Sequence, residues 1–225
     1  MIQHDLLRQR YEQHKAKNDY SKIDDEMLFL ASQEVLSILK ETYTDHTFIL
    51  KKSLSFKEIE EYSHINFQIN FDYSKRKLLP DGGVIWMDGK YPILISEIKR
   101  QGTNKERIKE GKPKQAVGNA IERLGKNLRG IETLYNNDNI LPFVCFCWGC
   151  DFAPEQQTVL CKLLTMNMFQ SLNTIYTNID SFKRGKPFTI MAREEPYSLD
   201  ELVYILLQVA EYSINYYEEK IKWDI

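Results

Sequence analysis

Two acidic residues and a lysine have the types and spacing of a metal-dependent phosphodiesterase site. Asp81 precedes a short predicted hairpin, and Glu97 and Lys99 follow it. Residues two apart on a strand project to the same side, so Glu97 and Lys99 are expected to face one site. Mg²⁺ prefers oxygen ligands, often one or two carboxylates with water and substrate phosphate. We therefore assign Asp81, Glu97 and the Ile98 carbonyl to Mg²⁺. Lys99 would orient or deprotonate the attacking water and offset charge developing on the phosphate.

A second group of residues has the chemistry to read a DNA base. Asn119 and Ala120 stand at the start of a predicted helix, with Arg123 one turn later. A single asparagine side chain can satisfy both the acceptor and the donor that adenine presents in the major groove. Ala120 can pack on a thymine methyl group, and Arg123 can take a phosphate or a purine edge. The hypothesis is an adenine-reading helix.

Two further residues could support the proposed metal site and base recognition. Glu122 could buttress Arg123 or bridge toward the metal site, and Gln101 lies just beyond the catalytic lysine within reach of a base. Each signal is weak alone: acidic pairs near lysines arise by chance in a charge-rich chain, and a surface helix carries solvated asparagines. The hairpin between Asp81 and Glu97 favours the catalytic interpretation, because the chemistry requires that strand geometry.

The charge distribution is uneven along the chain. The 225 residues have a formal net charge of −2, which argues mildly against indiscriminate nucleic-acid binding. Residues 99–129, however, contain ten Lys or Arg and three acids. This stretch is interpreted as the surface that contacts DNA phosphates, and the alternative is a basic loop that is simply solvated.

The cysteines do not have the spacing of a zinc site. Cys145, Cys147 and Cys150 lie in and after an apolar run, and Cys161 follows alone. The run predicts a buried strand in which cysteine acts as a small hydrophobic residue. No signal peptide or membrane span is recognisable, so the expected location is the cytoplasm.

The patterning predicts one mixed α/β domain over residues 1–225, with its catalytic and recognition core at about residues 64–150. Asp24 or Asp25 is predicted to cap an N-terminal helix. Asp88-Gly89 is predicted to turn a hairpin, and Ser198 with Glu201 to cap a long final helix. Further strands are expected at 47–50, 65–71, 84–87, 92–95, 141–148 and 188–191, further helices at 56–62, 114–135 and 155–172, and a mobile loop at 102–113.

Three segments together resemble the EcoRI-type restriction endonucleases. PDGG, EIKRQG and GNAIER occur here in the order in which that family has PDGG, ExKxQG and GNAxER. The resemblance is close over residues 80–126 and extends weakly to the strand at LPFVCFCWGCDF. The ordered combination is far more specific than the acidic residues and lysine alone.

The resemblance implies the PD-(D/E)xK fold, a mixed central sheet flanked by helices. It also implies a homodimeric, Mg²⁺-dependent type II enzyme that cuts both strands of palindromic double-stranded DNA around AATT, leaving 5′-phosphate ends with 5′ overhangs. By motif position, Asp81, Glu97 and Lys99 are catalytic and Glu122 supports them. Base recognition would fall to Gln101, Gly118, Asn119, Ala120 and Arg123. Family behaviour further implies a companion DNA methyltransferase.

The segment before GNAIER departs from the family and leaves the outer base pair open. Some relatives place an arginine directly before Gly118, where this chain has Val117; others have Met-Ala-Ala, matched by Ala116 but not by Gln115. GAATTC, a degenerate flanking pair and bare AATT all remain possible, with Gln115 and Ala116 as candidate contacts.

Two other functions stay open: a structure-specific or nicking nuclease, and an inactive DNA-binding module on the same fold. The Tyr-rich final helix is a candidate dimer interface, although a core helix is favoured.

Overall fold

The computed structural model describes residues 20–65, 76–102, 104–113, 119–176 and 186–223. The helices are α1 (Tyr20–Thr42), α2 (Phe56–Ser63), α3 (Asn104–Lys109), α4 (Asn119–Leu134), α5 (Gln157–Met166) and α6 (Leu199–Trp223). The strands are β1 (Phe48–Lys51), β2 (Leu54–Ser55), β3 (Lys77–Leu78), β4 (Gly83–Met87), β5 (Tyr91–Arg100), β6 (Phe143–Trp148) and β7 (Thr189–Arg193).

A five-stranded mixed sheet of order β1-β4-β5-β6-β7 organises the described residues. β1, β4 and β5 pair antiparallel, while β5, β6 and β7 pair parallel. Because β4 runs antiparallel to β5, the start of β4 lies beside the end of β5. Because β6 runs parallel to β5, the carboxyl end of β6 lies at this same end of the sheet. This topology confirms the predicted mixed α/β sheet.

The β4–β5 hairpin forms as its turn residues predict. Asp88 and Gly89 both adopt positive φ, 54° and 65°, as a type I′ turn requires. β5 is buried almost throughout, since helices cover both of its faces. On one face the Ser96 hydroxyl lies 3.4 Å from that of Ser32 in α1. On the other, Glu97 contacts α4.

The long helices form the layer on the Ser96 face. α1 and α6 pack against each other and against β5. The Ser198 side chain and backbone exchange hydrogen bonds with Glu201, which confirms the predicted cap of α6. Tyr217 is fully buried, so α6 is a core helix. Among the described residues, no helix combines the length and apolarity needed to cross a membrane.

Several local predictions were wrong. α1 begins at Tyr20, so Asp24 and Asp25 lie inside the helix and cap nothing. The segment predicted as a mobile loop contains α3, which Asn104 anchors through a buried hydrogen bond to Asp151. α5 ends at Met166, short of the expected boundary. Most of the strand predicted at 65–71, and the start of the helix predicted at 114–135, lie outside the described residues.

Candidate active site

The predicted catalytic residues lie together where the β4–β5 hairpin opens. The backbone at Gly82 lies very close to β5, and only glycine fits there, because a Cβ would stand 1.9 Å from the Ser96 hydroxyl oxygen. The Gly82 N–H donates to the Ser96 carbonyl at 3.1 Å, which brings Asp81 against the end of β5. Alternation along the strand turns Glu97 and Lys99 toward it.

Three oxygen atoms surround the Lys99 ammonium group. Nζ lies 2.5 Å from Glu97 Oε1, 2.9 Å from Asp81 Oδ2 and 3.0 Å from the Ile98 carbonyl oxygen. Backbone N–H groups tie the carboxylates in place: Ile98 donates to Asp81 Oδ2 at 3.1 Å, and Asp81 donates to Glu97 Oε2 at 3.3 Å. The oxygens predicted to bind metal therefore converge on one point that already attracts a positive charge.

The electrostatics of this group keep Lys99 protonated. Burial lowers the pKa of Lys99, but the nearby Glu97 and Asp81 carboxylates outweigh it and raise that pKa above its ordinary value. Burial, and then repulsion from Asp81, raise the pKa of Glu97. In this arrangement Lys99 is a cation that offsets negative charge.

The donor set fits a hard divalent cation. The described residues contain no group of three or more His, Cys, Asp or Glu that could hold a metal. Asp81 and Glu97 with the Ile98 carbonyl nevertheless supply oxygen ligands of the kind that Mg²⁺ uses when water and substrate complete its coordination. The fit depends on the convergence of these atoms around the Lys99 ammonium group.

The site opens into a cleft of about 520 Å³. Its wall includes residues that the sequence patterns did not assign to the site: Asp24 and Asp25 from α1, Arg100 from β5, and Lys126 and Asn127 from α4. Partial burial and the Asp81 carboxylate raise the pKa of Asp25 to about 6. Helical spacing could have revealed Asn127, because residues seven and eight positions after Asn119 return to the same side of α4.

Only some of the predicted DNA-reading residues lie within the described part of the chain. Gln101 is half-buried; its backbone N–H donates to the Trp148 carbonyl at 2.9 Å, and its own carbonyl accepts from the Asp151 N–H at 3.2 Å. Its Oε1 atom is buried without a hydrogen-bond partner among the described residues. Glu122 is exposed in the first turn of α4. Gln115, Ala116 and Gly118 lie outside the described residues, and for Asn119, Ala120 and Arg123 the structure describes only the helix that carries them.

Part of the basic stretch is engaged in surface ion pairs. Lys105 contacts Glu194, Lys112 pairs with Glu110 at 2.6 Å, and Arg129 pairs with Glu132 at 3.1 Å. Exposed pairs of this kind contribute little stability and can exchange partners. Two other basic residues of this stretch, Arg100 and Lys126, line the cleft itself.

The mixed sheet, with the Asp81, Glu97 and Lys99 group at one edge, defines a restriction-endonuclease-like fold. Residues 13–162 match the family described as "Restriction endonuclease EcoRI". The chain belongs to the EcoRI restriction endonuclease family, which confirms the resemblance drawn from its motifs.

Two relatives share this similarity. The type II restriction enzyme RsrI of Cereibacter sphaeroides is 31% identical over 141 residues, covering 54% of this chain and 49% of that enzyme. The type II restriction enzyme EcoRI of Escherichia coli is 28% identical over 170 residues, covering 66% of this chain and 61% of that enzyme. The chain thus spans about half to three fifths of the length of these relatives.

Proposed function

We propose that the protein is a Mg²⁺-dependent type II restriction endonuclease that acts on double-stranded DNA as a homodimer. It would hydrolyse both strands of a palindrome with an AATT core, for example GAATTC, RAATTY or AATT, and leave 5′-phosphate ends with 5′ overhangs. The observation that carries the proposal is the convergence of Asp81, Glu97, the Ile98 carbonyl and Lys99 on one point of an open cleft. Membership of the EcoRI family supports it.

The chemistry divides between the ligands and the lysine. A Mg²⁺ ion held by Asp81, Glu97 and the Ile98 carbonyl would polarise the phosphate and supply hydroxide near neutral pH. The backbone hydrogen bonds to both carboxylates keep them oriented before substrate arrives. Lys99, held as a cation, would orient water and offset the charge that develops on the phosphate.

Recognition would come from the amino-terminal part of α4. The helix begins at Asn119, and two turns later Lys126 and Asn127 line the catalytic cleft. One rigid element thus connects the proposed adenine-reading residue to the proposed catalytic centre. Asn119, Ala120, Arg123 and Gln101 would read the inner bases, while Gln115 and Ala116 would face the outer pair.

The remaining parts of the proposal follow from family behaviour. A palindromic site is matched by a two-fold protein, in which each subunit reads one half-site and cuts one strand. The cell would need a companion DNA methyltransferase that protects the same sites, and enzyme and DNA would meet in the cytoplasm.

Two alternatives are less well supported. A structure-specific or nicking nuclease would need the Asp81 and Glu97 site, but it would have no use for the adenine-reading sequence at the start of α4. An inactive DNA-binding module would have no reason to keep two carboxylates and a lysine in the geometry described above.

The deciding experiment is digestion of a long DNA of known sequence with Mg²⁺, followed by sequencing of the cut ends. Recurrent ends at AATT, with identical flanking bases on both strands, are expected. Random ends, or intact DNA at enzyme concentrations that saturate binding, would contradict the proposal. Cuts confined to one strand would favour the nicking alternative.

A further inference from the structure

Arg100 is held in place at the end of the catalytic strand. It is the last residue of β5 and follows Lys99 directly. Its register partner on the parallel neighbour is Trp148, the last residue of β6. The Arg100 guanidinium carbon lies over the Trp148 ring, 4.7 Å from its centroid. Stacking on an aromatic face restricts a side chain that would otherwise sample many rotamers.

Asp24 supports this pair from α1. Trp148 Nε1 donates a 3.2 Å hydrogen bond to Asp24 Oδ2, which fixes the plane of the indole ring. The Asp24 residue is 5% exposed, and when its carboxyl group is ionised it attracts the Arg100 guanidinium. Three elements that are far apart in sequence thus cooperate to orient one arginine.

The oriented arginine faces the proposed catalytic site. Arg100 lines the same cleft as Asp81 and Glu97, and its side chain is exposed there. A guanidinium has five N–H donors in a planar fork, so an arginine stacked by one face still presents edge donors to an anion. This fork matches carboxylate and phosphate oxygens, and on DNA the available anion is phosphate. If Arg100 served only as an ion-pair partner of Asp24, its side chain would not need to be exposed in the cleft.

We propose that Arg100 contacts a DNA backbone phosphate next to the one that is cleaved, and that Trp148 and Asp24 are positioning residues for that contact. The inference rests on the proposed function, since it assumes that DNA occupies the cleft. The contact would be independent of base sequence, because phosphates carry no direct base information.

Salt dependence of binding tests the charge of the contact. Binding to an AATT-containing duplex would be measured in Ca²⁺ over a range of salt concentrations for the wild type, Arg100→Ala and Arg100→Gln. Each dimer–duplex complex would lose two phosphate contacts, one per subunit. The slope of log K against log salt should therefore become shallower by about 1.8, and binding should weaken by about 100-fold, roughly tenfold for each contact. Arg100→Lys should retain the slope. Lys90 is an exposed cation in the turn just before β5, so Lys90→Ala is the matched control and should bind like the wild type.

A double-mutant cycle tests the positioning role. Trp148→Leu removes the ring and, as a single substitution, should weaken binding several-fold. Added to Arg100→Ala, it should weaken binding no further than Arg100→Ala does alone. A duplex series with single neutral methylphosphonates would locate the phosphate, because the relevant substitution weakens the wild type and leaves Arg100→Ala unaffected. Circular dichroism would confirm that each variant is folded.

The two proposals fail in different ways. An unchanged salt slope in both Arg100→Ala and Arg100→Gln, with cleavage at AATT intact in the wild type, would overturn the role of Arg100 alone. Additive effects of Trp148→Leu and Arg100→Ala would overturn the positioning role. A wild type that neither cleaves nor prefers AATT would overturn the proposed function itself.

Discussion

Asn127 Nδ2 donates a 2.9 Å hydrogen bond to Glu97 Oε1 and so joins α4 to β5. Glu97 is 2% exposed, and this bond occupies the oxygen that also contacts Lys99. The orientation of a proposed metal ligand therefore depends on the helix that begins at the proposed base-reading residue, Asn119.

Loss of this hydrogen bond should slow cleavage more than it weakens binding. Asn127→Ala removes a donor from a buried carboxylate, at a cost of about 1.5–3 kcal/mol, which corresponds to roughly 10–100-fold in kcat. Single-turnover cleavage and binding in Ca²⁺ would separate the two effects. Asn136→Ala, at an exposed asparagine just beyond α4, is the control and should behave like the wild type. A kcat within twofold of the wild type for Asn127→Ala would show that Glu97 keeps its orientation without this bond.

Lys99→Ala should abolish most cleavage while preserving site-specific binding in Ca²⁺. In the proposed mechanism the ammonium group offsets charge on the phosphate, and removal of such a stabilising group costs about 100–1,000-fold in rate. The variant also leaves the Asp81 and Glu97 carboxylates without their cation, so Ca²⁺ should raise its melting temperature more than that of the wild type. Unchanged cleavage by Lys99→Ala would refute the assigned role.

Asn119→Ala should lose discrimination at one adenine. A bidentate amide–adenine contact contributes about 1–3 kcal/mol of specificity. Competition between an AATT duplex and duplexes with single base changes would measure the loss position by position. If the variant discriminates as well as the wild type at every position, α4 does not read the bases through Asn119.

The buried Asp24 carboxyl should make stability fall as pH rises. Burial raises the pKa of Asp24 to about 7, against the opposing attraction of Arg100 and the hydrogen bond from Trp148. The folded protein therefore holds a proton that the unfolded chain has released above about pH 4, so stability decreases between about pH 4 and 7. Asp24→Asn should flatten this decline and be more stable than the wild type above pH 7, while the two differ least near pH 4. Urea unfolding at a series of pH values would measure the difference; a parallel pH dependence of both proteins would contradict this assignment.

Gly149→Ala should destabilise the fold strongly. Gly149 has a φ of 120°, and a Cβ there would lie 2.2 Å from the Gln101 carbonyl oxygen, where β5 and β6 end side by side. Backbone strain and this clash together should lower the free energy of unfolding by about 3 kcal/mol or more. Gly89→Ala is the matched control: it also has positive φ, but a Cβ there meets nothing within 4 Å. Its expected cost is about 1 kcal/mol. Equal losses for the two variants would show that the close approach at Gly149 relaxes easily.

Predictions from local patterns succeeded where short-range chemistry decides the structure. The Asp88-Gly89 turn formed because both residues tolerate positive φ. That turn set the antiparallel pairing that brings Asp81 to Glu97. Alternation along β5 then turned Lys99 toward both carboxylates. Each of these steps involves neighbours in sequence or a single hairpin.

Predictions failed where the answer depended on distant packing. Asp24 and Asp25 look like helix caps because aspartate accepts hydrogen bonds from free N–H groups, but α1 begins earlier and carries both to the cleft. The segment at 102–113 has no clear apolar periodicity, yet the buried contact of Asn104 with Asp151 organises α3. Local composition has no information about such partners.

The motifs around Asp81, Glu97 and Lys99, and the order in which they occur, were sufficient to indicate the family and to predict that these three side chains converge, because residue type, strand alternation and turn geometry are local properties. The packing of α1 and α4 at the edge of the sheet decided which other residues reach that site. It placed Asn127 on Glu97, and it placed Asp24 on Trp148 beneath Arg100. These contacts join residues 30 to 124 positions apart, and no short pattern specifies them, since they depend on how complete helices pack against the sheet.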